Sequence, residues 1–590
     1  MPIAQYDCPH FPQTMNKNRL ELLVCLGLTR LIMACQPGQK ATDNQSIAQV
    51  ICRTLPTDKA WYSSGKRAPL FEGLGNLHFP ITTRHKEVQR YFDQGLMLAG
   101  GFNHAEAARS FYEATRLDSS CAMAYWGFSY VLGPNYNAGM ESDNYERAYA
   151  AIQKAVNYAT GCNEKEKALI AALAKRYPAQ PVVDRRPYDV AYSQAMKQVH
   201  ERFQEDADVA ALYAESIMDL HPWDLWEKDG RPKPWTPEIV ASLEGLLARY
   251  PDHSTLHHLY IHAVEASQTP ERALKSAAIL SKVAPRSSHL VHMPSHIYIR
   301  TGKYHEGSVS NQKAVAVDSA YLRGCYAQGI FPLSYFPHNY HLLVATATLE
   351  GNRKWAMRSA QKMAEYTKKS LMADSGWSML QHYYTIPYHV ALKFTDWDDV
   401  LKMSQTDTIR LPYPTAIRHY ARGMALLGKQ QLMQAKTELQ QFEKATADPD
   451  IPKLTTGGIN QMSAILAIAH RVLKGEILAT EGQLTPAIAL LREAVTLEDR
   501  LNYNEPPDWF FSVRHNLGAM LLKAKRYPEA EAVYRADLTV FPRNAWALAG
   551  LHKAQVSQRL TTQAQQTQVV LVQASAWADR DIKAKMLSGL

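Results

Sequence analysis

Residues 514–542 read RHNLGAMLLKAKRYPEAEAVYRADLTVFP. Leu517 and Gly518 are adjacent, Leu521 stands three positions after the glycine, Ala530 twelve and Tyr534 sixteen, and Pro542 closes the stretch. The spacing predicts two short amphipathic helices joined by a turn. Small residues at the Gly and Ala positions allow the helices to approach closely, while Tyr and Leu fill the space between them. Neither helix can bury its apolar face alone, so such a unit needs a neighbour of the same kind.

Copies of the unit recur. Gly95, Leu98, Ala107, Phe111 and Ala114 keep the same intervals, with Ser119 in place of the closing proline. Gly423, Ala435 and Leu439 give a weaker copy, as do Gly482, Ala487, Leu491 and Ala494. Helical periodicity dominates the chain and no convincing strand alternation is found. The pattern resembles the tetratricopeptide repeat, over roughly residues 85–555. The resemblance implies an all-α fold, an α-solenoid of stacked helix–turn–helix repeats. FNHAEA (102–107), HMPSHIY (292–298) and NEPPDW (504–509) together also resemble a poorly characterised group of bacterial tetratricopeptide proteins, some of them lipoproteins. The expected organisation is a signal or lipoprotein segment over 1–35, an irregular segment over 36–84, helical repeats over 85–320 with an insertion near 220–237, further repeats over 321–555, and a helical tail over 556–590.

The 590 residues are 46% apolar and 21% charged, which excludes wholesale disorder. Lys and Arg number 65 against 56 Asp and Glu, a diffuse net charge of +9, and no basic run reads as a nucleic-acid stripe, so no nucleic-acid partner is expected. Seven cysteines exclude a disulfide-framed miniprotein. Phosphate-loop, dinucleotide, nucleophile-elbow and HExxH motifs are absent.

Residues 15–40, MNKNRLELLVCLGLTRLIMACQPGQK, carry Lys17 and Arg19 ahead of a mostly apolar stretch ending at Ala34-Cys35. They resemble a bacterial lipoprotein signal, with Met15 as the start. That resemblance implies acylation at Cys35, membrane attachment through the lipid, and a periplasmic or membrane-anchored location. The other reading is an amphipathic N-terminal helix packed on the body of a cytoplasmic protein. Cys52, Cys121, Cys162 and Cys325 are far apart and show no CxxC spacing, which argues against a cysteine metal site.

Histidine is the compositional oddity: seven of the 22 lie between His253 and His296. His258 and His292 are 34 residues apart, as are His262 and His296. Each pair has i, i+4 spacing, which sets both rings on one helix face. The family resemblance places these fifth and ninth positions of a first helix on the concave side of the solenoid. His289, His338, His341, His382, His389 and His515 fall on second, fifth or ninth positions of their own repeats. Adjacent helices lie roughly 8–10 Å apart, so two His pairs can converge on one centre. Neutral imidazole is the commonest protein ligand of first-row transition metals. His258, His262, His292 and His296 can therefore form one site for a divalent transition metal, with Glu265 or Glu215 as a carboxylate partner or behind the ligands.

Two functions stay open on the sequence. One is a binding or scaffold protein whose histidine-rich groove (Glu215, Glu265, His289, Arg300, His338, His341, His382, His389 and His515) takes a protein, a peptide or a small molecule. The other is a metal-dependent enzyme or metal-binding protein. The peptide-carboxylate clamp of the family uses Lys and Asn at the groove positions, where this chain has His.

Overall fold

Tyr534 is wedged between two glycines. A Cβ on Gly518 or on Gly550 would overlap its ring, and Phe111 is held in the same way between Gly95 and Gly127. In both places an aromatic side chain on the second helix of a repeat fills the space that glycines leave on the first helices of its own repeat and the next. For Phe111 these helices are Lys86–Gly100, His104–Leu117 and Ala122–Val131; for Tyr534 they are Val513–Lys523, Tyr527–Val540 and Ala545–Ser557. Overpacking such a contact costs about 1–3 kcal/mol. Gly550→Ala is therefore expected to lower stability by about that amount in urea unfolding. Gly245, mid-helix with nothing within 4 Å of an added Cβ, provides the contrast; Gly245→Ala is expected to raise stability by about 0.5–1 kcal/mol.

The computed structural model describes residues 59–141, 143–324 and 330–588. Helices follow one another in pairs throughout, and among the described residues the only strands are a two-residue hairpin, Thr455–Thr456 with Asn460–Gln461. Eight of the inter-helix turns share one device. Phe102, Gly302, Gly351, Thr395, Gln430, Gly482, Lys525 and Arg559 all have φ between 55° and 83°. In each case the following amide donates to a carbonyl five residues back, as in Asn103 to Leu98 (2.9 Å), Asn352 to Ala347 (2.8 Å) and Arg526 to Leu521 (2.8 Å). This is the left-handed helix stop that satisfies the last carbonyls of a helix. The array is a tetratricopeptide-type α-solenoid.

Residues 68–81 lie along the first repeat, where Tyr91 Oη donates to the Ala68 carbonyl (2.9 Å) and Gln94 Nε2 to that of Pro69 (2.9 Å). Residues 219–235 form the loop between the helices Ala207–Met218 and Thr236–Arg249. The helix Tyr304–Gly324 runs through residue 320, where the sequence reading divides the array, and one apolar cluster joins Tyr304, Trp377, Phe510 and Trp546. Helices Thr561–Ala574 and Arg580–Ser588 continue the array at its end.

The superhelix closes on itself. Tyr304 Oη donates to the Pro542 carbonyl (2.8 Å), Trp546 Nε1 to that of Thr348 (2.8 Å), and the Asp579 amide to that of Gly351 (3.1 Å). C-terminal repeats thereby pack against the turns at Gly302 and Gly351 in the middle repeats. The segment over 1–35, Cys35, Cys52 and Cys325 lie outside the described residues. Cys121 and Cys162 are buried free thiols, pushed up by burial to about 11 and about 12. No helix among the described residues is long and apolar enough to cross a membrane.

Candidate metal centre

The helix Ser254–Val264 begins at His253, whose Nδ1 accepts from the Leu256 amide. Its histidines divide between two faces. His257 is structural, bonded to Ser276 Oγ (2.9 Å) and the Pro251 carbonyl (2.7 Å). His258 and His262 face the interior of the superhelix. One repeat further, Pro294 interrupts the first helix into Ser288–His292 and Pro294–Arg300, because proline supplies no amide to the ladder. His289, His292 and His296 face the same interior.

Four of these rings have Nδ1 fixed on an acceptor. His258 Nδ1 donates to the Gly100 carbonyl (2.7 Å), His262 Nδ1 to Glu265 Oε1 (2.7 Å), His296 Nδ1 to Glu265 Oε2 (2.6 Å), and His292 Nδ1 to Asn311 Oδ1 (2.6 Å). Asn311 is oriented by its own Nδ2, which donates to the Gly307 carbonyl (2.9 Å). Gly100 comes this near because its helix presses on Thr255, where a Cβ would overlap the hydroxyl. A ring that donates through Nδ1 keeps the lone pair on Nε2. All four therefore carry a free donor nitrogen on the inner edge.

The inner edges meet in two sets. His258, His262 and His289 bring one ligand atom each within 4.8 Å of one another, and so do His292, His296 and His338. His258 Nε2 is 3.1 Å from His289 Nε2, and His292 Nε2 is 2.9 Å from His296 Nε2. Metal–nitrogen bonds of about 2.0–2.1 Å place neighbouring ligand nitrogens about 2.9–3.4 Å apart at octahedral or tetrahedral angles. His262 Nε2 is buried without a hydrogen-bond partner.

The sequence-predicted quartet His258, His262, His292 and His296 is thus shared between two triads, which His289 and His338 complete. The reason is Glu265. A carboxylate shared on the Nδ1 side of His262 and His296 sends their Nε2 atoms to different sides. Burial would raise this carboxyl, but the His296 and His262 rings beside it hold it far below the usual carboxylate range. His258, His289, His292 and His338 are held well below the ordinary imidazole value, first by burial and then by neighbouring histidines. Neutral imidazoles are the form that ligates metal.

The surroundings are aromatic. Phe102, at φ 55°, sets its ring 4.4 Å from His258, 5.5 Å from His289 and 5.9 Å from His262. Tyr136 packs 5.2 Å from His262 and Tyr335 5.0 Å from His289. On the far side Tyr503 Oη donates to Glu505 Oε2 (2.9 Å) and lies 3.5 Å from Glu265 Oε2, with the Arg300 guanidinium over its ring. Burial raises Glu505 to about 7 against the pull of Arg300 and His296.

The remaining predicted residues lie apart from the triads. Glu215 is buried and accepts from the Tyr130 phenol. Arg300 donates to the Ser267 carbonyl (3.2 Å). His515 bridges Lys393 Nζ (2.7 Å) and Asp537 (2.9 Å), where burial lowers Lys393 to about 7. His341 and His382 pack 5.8 Å apart, stacked on Phe510 and bonded to Tyr413 Oη respectively, and His389 abuts Trp509. Gly100, Phe102, Asn311 and Tyr136 complete the centre without having been singled out as site residues. Phe102 had a signal, the FNHAEA segment; Asn311 had none.

No family model and no curated protein matches the chain. Among solved structures it is similar to human IFIT1, a dimer with m7Gppp-AAAA, at 13% identity and TM-score 0.30, over 84% of this chain and 92% of that one. Yeast Tom70 is similar at 14% identity and TM-score 0.32, over 81% and 98%. Cut9, from the APC/C hetero-tetramer Cut9–Hcn1, is similar at 13% identity and TM-score 0.24, over 86% and 96%.

Proposed function

We propose that this tetratricopeptide solenoid is a transition-metal protein, its closed concave face serving as the shell of an imidazole-only metal centre that acts on a small molecule. One observation carries the reading. His292 and His296 each donate through Nδ1, to Asn311 and Glu265, yet their Nε2 atoms face each other at 2.9 Å. Two lone pairs at that distance in a buried site need a cation between or beside them. All-imidazole ligation suits Zn, Cu, Fe or Ni. Three protein ligands to an ion leave coordination positions open, as catalytic sites do. His258 and His292 are 0% exposed, His296 1%, His262 2% and His289 3%, which favours a small substrate over a peptide laid in a groove.

A proton is the rival cation. Glu265 raises His296 above its ordinary value despite burial, and an imidazolium there would donate to His292. Elemental analysis of protein purified without chelators separates the two. Stoichiometric metal is expected, falling at least tenfold in His258→Ala/His292→Ala protein that keeps its helical circular dichroism. Metal-free wild-type protein would assign the cluster to a protonated polar core.

Export is a separate proposal, resting on residues 15–35. The full-length chain is expected in the membrane fraction and Cys35→Ser in the soluble one. Unchanged membrane association of the variant would contradict acylation at that cysteine.

A further inference from the structure

We infer that the centre is dinuclear, each triad holding one ion and Glu265 tying the two together. The inference rests on the metal-binding reading above and adds the number and pairing of the ions. Nitrogens bound to one ion lie no more than about 4.2 Å apart, twice the bond length. The six imidazoles do not gather into one group even at 4.8 Å. They divide into His258, His262 and His289 on one side and His292, His296 and His338 on the other. The two sets meet that wider limit, and one pair in each lies inside about 4.2 Å. Each set contains its own close Nε2 pair: at 2.9 Å both His292 and His296 have Nδ1 committed as donor, while at 3.1 Å only His258 has, His289 Nδ1 being buried without a partner. The sets are nevertheless immediate neighbours. His262 lies 5.8 Å from His296 and His289 lies 5.7 Å from His292, ring to ring across the divide, against 4.9 Å and 6.1 Å for His262 to its own partners His258 and His289.

Glu265 explains why the separation is built in. Both its oxygens are committed to Nδ1 atoms, one in each set, so it is a positioning residue with no oxygen left to join an ion directly. Each ion then has three neutral nitrogen ligands and open positions, and the carboxylate supplies the nearest fixed negative charge to both. A pair of metal ions in this arrangement suits a small ligand that reaches both, such as an anion or diatomic molecule. His338 is the one partly exposed member of the six; the other five are at most 3% exposed.

The test loads metal-stripped full-length protein with copper(II) chloride, removes the excess by gel filtration, and measures the copper-to-chain ratio and the electron paramagnetic resonance spectrum. Two ions per chain with a coupled spectrum are expected. His338→Ala is expected to bind one ion and to show an isolated copper signal, and His289→Ala to give the complementary one-ion protein. One ion per wild-type chain would overturn the pair and leave a mononuclear centre standing. No copper would remove both readings. Two ions with isolated, uncoupled signals would overturn the pairing. The wild-type measurement decides among these even where a variant fails to fold.

Discussion

Purified Glu265→Ala protein is expected to bind transition metal at least tenfold more weakly than the wild type and to be about 3–5 kcal/mol less stable in urea unfolding. The carboxylate is 1% exposed and accepts from both His262 and His296. Removing it leaves two buried N–H donors without acceptors, each costing about 1–3 kcal/mol. It also frees both rings to turn and to exchange tautomers, so the Nε2 lone pairs are no longer aimed. Glu265→Gln separates the two effects. The amide oxygen still accepts from one ring, but the amide nitrogen faces the other with a second donor. Metal affinity is expected to fall with less loss of stability. Competition against a chromophoric chelator measures the affinity, and an unchanged value in both variants would remove Glu265 from the account.

Metal removal is the second large effect. An ion that binds only the folded chain stabilises it by about 2.7 kcal/mol at a free concentration one hundred times Kd. The centre joins helices distant in sequence: Gly100, His258, His296, Asn311 and His338 come from the first repeat, two middle repeats and the helix Phe336–Leu349. Stripped of metal, this junction holds two facing imidazole pairs and the buried, unpartnered His262 Nε2. Calorimetry is expected to show a lower unfolding midpoint for stripped protein and recovery on adding the ion. The His258→Ala/His292→Ala protein is expected to show no response. An identical midpoint with and without metal would mean that the imidazoles do not couple to an ion.

Much of the architecture was legible because its causes are local. Gly518, Ala530 and Tyr534 specify a wedge that depends on fixed intervals, and Tyr534 packs against Gly518 and Gly550. The 34-residue offset of His258 and His292 was legible for the same reason: equivalent positions of stacked repeats face the same side. The partition into triads was not. It depends on where the Glu265 oxygens point and on Pro294 breaking a helix, and both are tertiary matters. Asn311 and the Gly100 carbonyl were hidden because an Nδ1 acceptor can be any buried oxygen that the fold brings near. Glu215 attracted notice as a carboxylate near the insertion, yet its partner is the Tyr130 phenol. Nor does periodicity reveal closure of the superhelix, since contacts such as Tyr304 to Pro542 join repeats more than two hundred residues apart.

The central claim is that the inner Nε2 atoms of these histidines ligate metal, and X-ray absorption at the K-edge of the metal that copurifies with the wild-type protein tests it most directly. The account predicts nitrogen neighbours at about 2.0–2.1 Å, with the outer-shell scattering of imidazole rings. A sulfur shell, an oxygen-only shell, or no metal in the sample would contradict it.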